Sequence, residues 1–172
     1  EPDFALTKFK KLAGGGYFKI ANQSLRPALK ALACTTSQID EIVAHVMGTL
    51  NLDTPMPDAS GRLISGGASF RDFLTEAGYT GDDLVALENQ LPMMFELGFA
   101  FSAWSMPEAV LRKAGRDPAK AKADGKFNGL KVLGLKKVQI EALNRRICGT
   151  QTVEGAPHLK ARSEEHTSEF QS

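Results

Sequence analysis

Apolar positions along this chain recur mainly at the three- and four-residue spacing of an amphipathic helix, and turn-forming residues interrupt the pattern at regular places. Leu25, Ala28, Leu29 and Leu32 make one stripe. Ser24 stands where an N-cap belongs, and Pro27 lies in the first turn, where a missing amide donor does no harm. After a break at Ala33-Cys34-Thr35, a second face is formed by Ile39, Ile42, Val43, Val46 and Met47. Thr35 or Thr36 can cap that helix and Gly48 can end it. The pattern returns with Phe70, Phe73, Leu74 and Ala77, stops at Gly78, and resumes from Thr80 with Leu84, Leu87 and Leu91. A last pair of helices surrounds Gly134. There Ile140, Leu143, Ile147 and Cys148 face inward and Arg145 and Arg146 face out.

The first and last of these pairs are copies. Moving Leu29–Thr49 by the distance from Gly48 to Gly149, 101 positions, lays it without a gap on Leu130–Thr150. Leu29, Lys30, Leu32, Gln38, Ile39, Gly48 and Thr49 then meet identical residues at Leu130, Lys131, Leu133, Gln139, Ile140, Gly149 and Thr150. Ala77-Gly78-Tyr79-Thr80 followed by Leu84 and Leu87 matches Leu32-Ala33-Cys34-Thr35 followed by Ile39 and Ile42, a third and more diverged copy. A gap-free internal repeat means that one supersecondary unit was used more than once. The pattern predicts a mostly α fold of three helix-turn-helix (helical hairpin) repeats forming a small orthogonal bundle. Its organisation reads as an entry segment with a Gly-rich linker over 1–23, a helical repeat domain over 24–161 with units near 24–50, 69–91 and 127–150, and a tail over 162–172.

The stretches between these units are less regular. Glu1 to Leu12 reads as a strand or a weak helix. Gly14, Gly15 and Gly16 break any regular element, and no Lys-Ser/Thr pair follows them to make a phosphate loop, so they read as a linker. Asn51 to Ala68, rich in Pro and Gly, predicts a long loop. In Met93 to Trp104, Phe95, Leu97, Phe99 and Phe101 alternate as in a strand, yet Pro92 at the start and helical surroundings favour a buried helix serving as core, with a nucleobase-stacking or cofactor pocket as the rarer reading of such a cluster. Ser105-Met106-Pro107-Glu108 has the capping-box spacing for a helix ending at Gly115, and Asp117-Pro118 opens a short helix closed by Gly125.

Composition narrows the chemistry. With 172 residues and 42% hydrophobic content the chain can bury one ordinary core. Twenty-one basic and 20 acidic residues leave a net charge of +1, which gives no strong electrostatic footprint for nucleic acid or an anionic membrane. No apolar run approaches the roughly 18 residues of a membrane span, and no charged-then-apolar leader pattern is present; a cytoplasmic protein is expected. Cys34 and Cys148 read as buried structural thiols in a reducing compartment. His45, His158 and His166 lie far apart, and no cysteine or histidine spacing suits a metal. Cys148 with His158 is the best nucleophile-base pair on offer, against a buried thiol and a packing histidine as the plainer reading. Lys136-Lys137 and Arg145-Arg146 read as a solvated face. No complete catalytic, cofactor or metal constellation emerges.

Several segments resemble a known family. Gly16-Tyr17-Phe18-Lys19-Ile20, the run from Leu29 with Gln38-Ile39-Asp40-Glu41-Ile42, Leu91-Pro92 with Phe99 to Trp104, and Cys148-Gly149-Thr150 with Val153 to Lys160 are similar to the long adenosylcobalamin-dependent (class II) ribonucleotide reductases of bacteria. The likeness covers most of residues 16 to 160, and Glu154-Gly155-Ala156-Pro157-His158 is its most specific part. It implies an internal helical segment, an insert of a larger α/β-barrel enzyme. As parent protein it implies a ribonucleoside-diphosphate reductase that uses adenosylcobalamin and a cysteine radical, takes a ribonucleotide substrate and is served by a thioredoxin-type reductant. The family's Asn-x-Cys-x-Glu finger loop and any Cys-x-x-Cys are missing here, so neither Cys34 nor Cys148 inherits a catalytic role. Where relatives repeat Gly-Ala-Pro-His after the first unit, this chain has Leu52-Asp53-Thr54-Pro55-Met56-Pro57.

On this resemblance the fragment alone is inactive, binds no cofactor by itself, and has the remainder of the reductase chain as its partner, with no membrane or nucleic-acid role. The other reading is a free-standing helical module that binds protein or nucleic acid. Arg162 to Ser172 are similar to the translation of a sequencing-library adapter, so His166 carries no functional expectation.

Overall fold

Four turns with the same hydrogen bonding organise the helices in the computed structural model, which describes residues 7–11, 17–21, 25–151 and 156–159. In each, a residue with positive φ ends one helix: Ala33 (59°), Gly78 (109°), Gly115 (77°) and Gly134 (100°). The following amide reaches back five residues, Cys34 to Leu29 (3.2 Å), Tyr79 to Leu74 (3.0 Å), Arg116 to Leu111 (2.8 Å) and Leu135 to Leu130 (3.1 Å). This is the Schellman arrangement, which satisfies carbonyls orphaned at a helix end. Glycine takes the left-handed conformation freely; Ala33 does so against the steric cost of its Cβ. Cys34, Tyr79 and Leu135, the residues after the turn point, are buried at 8%, 5% and 6% exposure and anchor their turns. Arg116 is exposed.

The described chain is mostly helical and divides into two units, one of Glu1–Thr49 with Gly149–Ser172 and one of Leu50–Cys148. In the first, β1 (Thr7–Lys11) pairs antiparallel with β2 (Tyr17–Ala21) in the register Thr7↔Ala21 to Lys11↔Tyr17. The open choice over Glu1 to Leu12 thus resolves to a strand at Thr7–Lys11. The glycine run 14–16, Ser24 and the tail 162–172 lie outside the described residues. Helices α1 (Leu25–Ala31) and α2 (Thr36–Met47) follow. Thr35 caps α2 in a full capping box: Gln38 donates its amide to Thr35 Oγ1 (3.2 Å) and Thr35 its amide to Gln38 Oε1 (2.9 Å). Leu25, Leu29, Cys34, Ile39, Ile42 and Ala156 form the core of this unit. Leu32, expected on the apolar stripe of α1, lies just past the end of the helix at Ala31 and is 38% exposed.

In the second unit α3 (Phe70–Glu76) and α4 (Gly81–Gln90) carry capping boxes of the same design, Ser69 with Asp72 and Thr80 with Asp83. Then come α5 (Glu108–Lys113), α6 (Pro118–Ala123), α7 (Gly129–Val132) and α8 (Lys137–Cys148). One cluster, including Leu52, Phe70, Leu74, Phe101, Leu111, Leu130, Leu143 and Ile147, makes its core. The expected loop before α3 is folded on itself, with isolated bridges Pro55↔Ser69 and Pro57↔Leu63. Asp58 closes its tip by accepting from the amides of Ser60 (2.8 Å) and Arg62 (3.1 Å) and from the Ser60 hydroxyl (2.6 Å). These donors hold the Asp58 carboxyl below the usual carboxylate range.

Two expectations fail here. Met93 to Trp104 is not one buried helix but two short 3-10 turns, Leu91–Met93 and Leu97–Phe101. Met94 and Glu96 are extended, and the amide of Leu97 is taken by the Asn144 side chain of α8 (2.7 Å) instead of a carbonyl one turn back. Leu97, Ala100 and Phe101 are buried, whereas Phe99 and Trp104 are 63% and 76% exposed, so the block is only partly core. The Ser105 capping box does not form either. Helix α5 starts at Glu108 after Pro107, which makes no side-chain cap. Ser105 Oγ instead accepts from Ser102 (2.9 Å), and Glu108 pairs with Arg112 and Lys122, each at 3.3 Å.

The two Gly-Thr junctions are alike in detail. Leu50 and Gln151, equivalent in the 101-residue offset, have φ of 55° and 64°. Leu50 donates to the carbonyl of Ile147 (3.1 Å) inside the second unit, and Gln151 to that of Val46 (3.0 Å) inside the first. Val46 and Ile147 are themselves equivalent positions.

Candidate functional site

The residues singled out by sequence fall into separate surroundings. Cys148, the last residue of α8, is fully buried in the core of the second unit. His158 belongs to the first unit, where its Nε2 lies 2.7 Å from Glu41 Oε2 on α2. Neither unit contains both members of the candidate pair. Around His158, Ala156 is buried in the first unit's core and Leu159 packs against it. The Ala-Pro-His stretch therefore acts as a clasp on α2. Glu41, its polar anchor 117 residues away in sequence, belongs to no local pattern that would reveal it.

The backbone carbonyl of His45 accepts from both the amide (2.9 Å) and the hydroxyl (3.1 Å) of Thr150. Cys34 is buried in its turn. Arg145 and Arg146 are exposed on α8, and Lys137 stands 4.0 Å from Glu141 one turn on. Among the described residues no group of three or more His, Cys, Asp or Glu is placed to hold a metal ion.

The described residues of the second unit line clefts of three kinds. One of about 300 Å³ is lined by Arg116 and Lys120 against Asp117 and Asp124. Its carboxylates already accept hydrogen bonds, Asp117 from the amide of Ala119 (2.9 Å) and Asp124 from that of Lys126 (2.9 Å), and they match its two cations in number. A notch of about 80 Å³ is lined by Tyr79, Asp83, Gln90 and Ser105. The Tyr79 hydroxyl is buried there without a hydrogen-bond partner, and burial, aided by the nearby Asp83 charge, pushes its pKa well up. The third, of about 520 Å³, is almost wholly apolar, formed by Met93, Met94, Phe95 and Phe99 with Gln90 at its edge. The sequence favours core over a pocket for these side chains, yet Phe95 and Phe99 are 51% and 63% exposed.

A further polar cluster ties the loop to the helices. Arg71 on α3 bonds both Asp53 (2.8 Å) and Glu88, and Glu88 also accepts the amide of the fully buried Leu52 (3.1 Å). The Asp53 hydrogen bond and the two carboxylates hold the Arg71 guanidinium above its usual range, so it stays charged.

This is a mostly helical segment with buried thiols, a histidine clasp and an apolar groove. No protein-family model matches the chain. It is 44% identical over 162 residues to a vitamin B12-dependent ribonucleotide reductase of Bradyrhizobium diazoefficiens, covering 94% of this chain and 12% of the relative. Against the protein of that name in Agrobacterium fabrum the figures are 39% over 161 residues, 93% and 12%. A shorter match, 52% over 46 residues, is to the protein of that name in Rhodopirellula baltica. The chain is a homologue of a segment of the vitamin B12-dependent ribonucleotide reductases, spanning about an eighth of the length of the first two relatives. No helix among the described residues is long and apolar enough to cross a membrane.

Proposed function

We propose that these residues form a structural or regulatory helical insert of a cobalamin-dependent ribonucleotide reductase, and that the chemistry is done by parts of the parent polypeptide outside them. The observation that carries this reading is the 44% identity extending over 94% of the chain. The parent is then an α/β-barrel enzyme that converts ribonucleotides to deoxyribonucleotides with adenosylcobalamin and a thioredoxin-type reductant. Within it, the hairpins at α1–α2, α3–α4 and α7–α8 are three copies of one unit. Their shared turn hydrogen bonds support that reading.

The burial of both cysteines, at 8% and 0% exposure, supports a structural role for them, because a thiol that exchanges electrons must be reached as thiolate. The clefts among the described residues do not fit a corrinoid. The apolar groove offers Gln90 as its only polar side chain, the notch of about 80 Å³ is smaller than a site for a drug-sized ligand, and the cleft of about 300 Å³ only reaches the lower bound for one, well short of a corrinoid.

The test is adenosylcobalamin-dependent reduction of ribonucleotides by the complete polypeptide that contains these residues. The complete protein should turn over and keep turning over with Cys34→Ala and Cys148→Ala together, while the 172-residue chain alone should not. Turnover by the chain alone, or its loss in a folded double variant, would refute the assignment.

A further inference from the structure

The turn at Gly115 matches the other three in more than its hydrogen bonds. The residues after the turn points, Cys34, Tyr79, Arg116 and Leu135, give a common origin for counting. Five positions before it stands a buried leucine in every case, since Leu29, Leu74, Leu111 and Leu130 are exposed by 3% or less. One position after it stands the residue that opens the second helix: Thr35 before α2, Thr80 before α4, Asp117 before α6 and Lys136 before α8. Five positions after it the side chain faces inward, with Ile39, Leu84 and Ala121 buried and Ile140 packed against the core. Ala114-Gly115 also repeats Ala77-Gly78. A Schellman turn is common to many helix ends. A shared register on both sides of it marks one unit used again.

We propose that α5–α6 is a fourth copy of the helical hairpin, one in which two structural positions have been given over to cations. It extends the reading of the other three hairpins as copies of one unit, and it is independent of the parent's activity. The position after the turn holds a buried anchor in three copies and the exposed Arg116 in this one. Three residues beyond the start of the second helix, the other copies carry an acceptor for the amide at that start: Gln38 for Thr35, Asp83 for Thr80 and Gln139 for Lys136, each at 2.9 Å. Here that residue is Lys120, whose ammonium has no lone pair to accept with. Asp117 therefore caps α6 in one direction only, accepting from the amides of Ala119 and Lys120. The weaker start agrees with a shorter helix, 6 residues in α6 against 10 in α4 and 12 in both α2 and α8. Arg116 and Lys120 line one cleft with Ala121 and Phe127, so an apolar side chain at 116 would have an apolar surface to pack on.

The test restores the unit in the 172-residue chain and reads urea midpoints. Arg116→Leu, which returns an apolar anchor, should raise the midpoint by about 0.5 M. Lys120→Gln, which returns the reciprocal cap, should raise it by about 0.3 M. Arg112→Leu is the control, at an exposed position of α5 outside the shared pattern, and should raise nothing. Absence of the gain at either restored position overturns the proposal, as does a gain at Arg112 equal to that at Arg116. Leu135→Arg makes the reverse change in the last copy and should lower the midpoint. If Leu135→Arg is silent, the buried anchor is no feature of the unit, and the reading of the other hairpins as copies falls with this one; if it destabilises while Arg116→Leu gains nothing, only the fourth copy falls.

Discussion

Gly129, the first residue of α7, sets its bare Cα against the backbone carbonyl of Phe101, leaving no room for a Cβ. A methyl group there would also strike the sulfur of Met106, and the carbonyl cannot swing aside as a side chain could. Gly129→Ala should therefore cost about 3 kcal/mol or more, at the upper end of overpacking. Gly66 is the contrasting case, with φ of +80° and nothing within 4 Å of the place a methyl group would take. Gly66→Ala should cost about 1 kcal/mol, the left-handed penalty alone. Urea midpoints of the two variants measure the difference, and equal values would mean that the Gly129 contact is not as tight as described.

Tyr79 offers a test by gain of stability. Its buried hydroxyl has no hydrogen-bond partner, so Tyr79→Phe should stabilise the fold by about 1 kcal/mol, the lower part of the range for an unsatisfied buried group. The same burial raises the phenol's pKa above its unfolded value of about 10. The unfolded chain then releases this proton first. Stability should be unaffected below about pH 10 and fall as pH rises beyond it, a slope that Tyr79→Phe should reduce. Denaturant titrations across the alkaline range would reveal an unchanged slope if the hydroxyl is solvated.

The capping boxes make a graded set. Thr35→Ala, Ser69→Ala and Thr80→Ala should each cost about 1 kcal/mol, because each frees a helix amide. Ser105→Ala, whose hydroxyl caps nothing, should stay within about 0.5 kcal/mol. Asp72 adds a pH signature. Hydrogen bonds from the Ser69 amide and hydroxyl hold its carboxyl below the ordinary value, so its contribution is present above the unfolded pKa of about 3.9. That contribution is lost as pH falls through the depressed folded value. Acid titration of Asp72→Asn should show a shallower loss than the parent chain.

Glu88→Ala removes the acceptor of the buried Leu52 amide and one carboxylate of Arg71. The expected loss is about 2 kcal/mol, chiefly from the orphaned amide. Amide hydrogen exchange at Leu52 should accelerate with it; unchanged exchange would show that the loop is held by other contacts.

How much of the fold is legible in the chain follows the range of the interactions. The turns at Ala33, Gly78 and Gly134 depend on residues a few positions apart, so periodicity and glycine placement locate them. The matching turn at Gly115 does not stand out as a relative of the others because Arg116 replaces the buried anchor found at Cys34, Tyr79 and Leu135. The Met93 to Trp104 block departs from its expected helix because its backbone is set by Asn144, 47 residues beyond Leu97, and no local pattern encodes that bond. His158 is visible in the sequence, but its anchor Glu41 lies too far along the chain for pattern reading. The apolar groove is hidden by a rule that is usually sound, that clustered aromatics are core.

The division of the chain at Thr49 and Cys148 has a consequence for the order of assembly. Leu50–Cys148 is continuous, so all its contacts can form once Cys148 has been synthesised. The unit containing α1 and α2 must wait for Gly149 and the Ala156–Leu159 clasp, and must close a loop of nearly a hundred residues to receive them. An unfolded loop of that size carries a closure penalty that grows with the logarithm of its length. Folding the intervening stretch first brings its two ends together, because Leu50 is bonded to Ile147. The Leu50 hydrogen bond is thus a folding device as well as a contact: it turns a long-range closure into a short-range one.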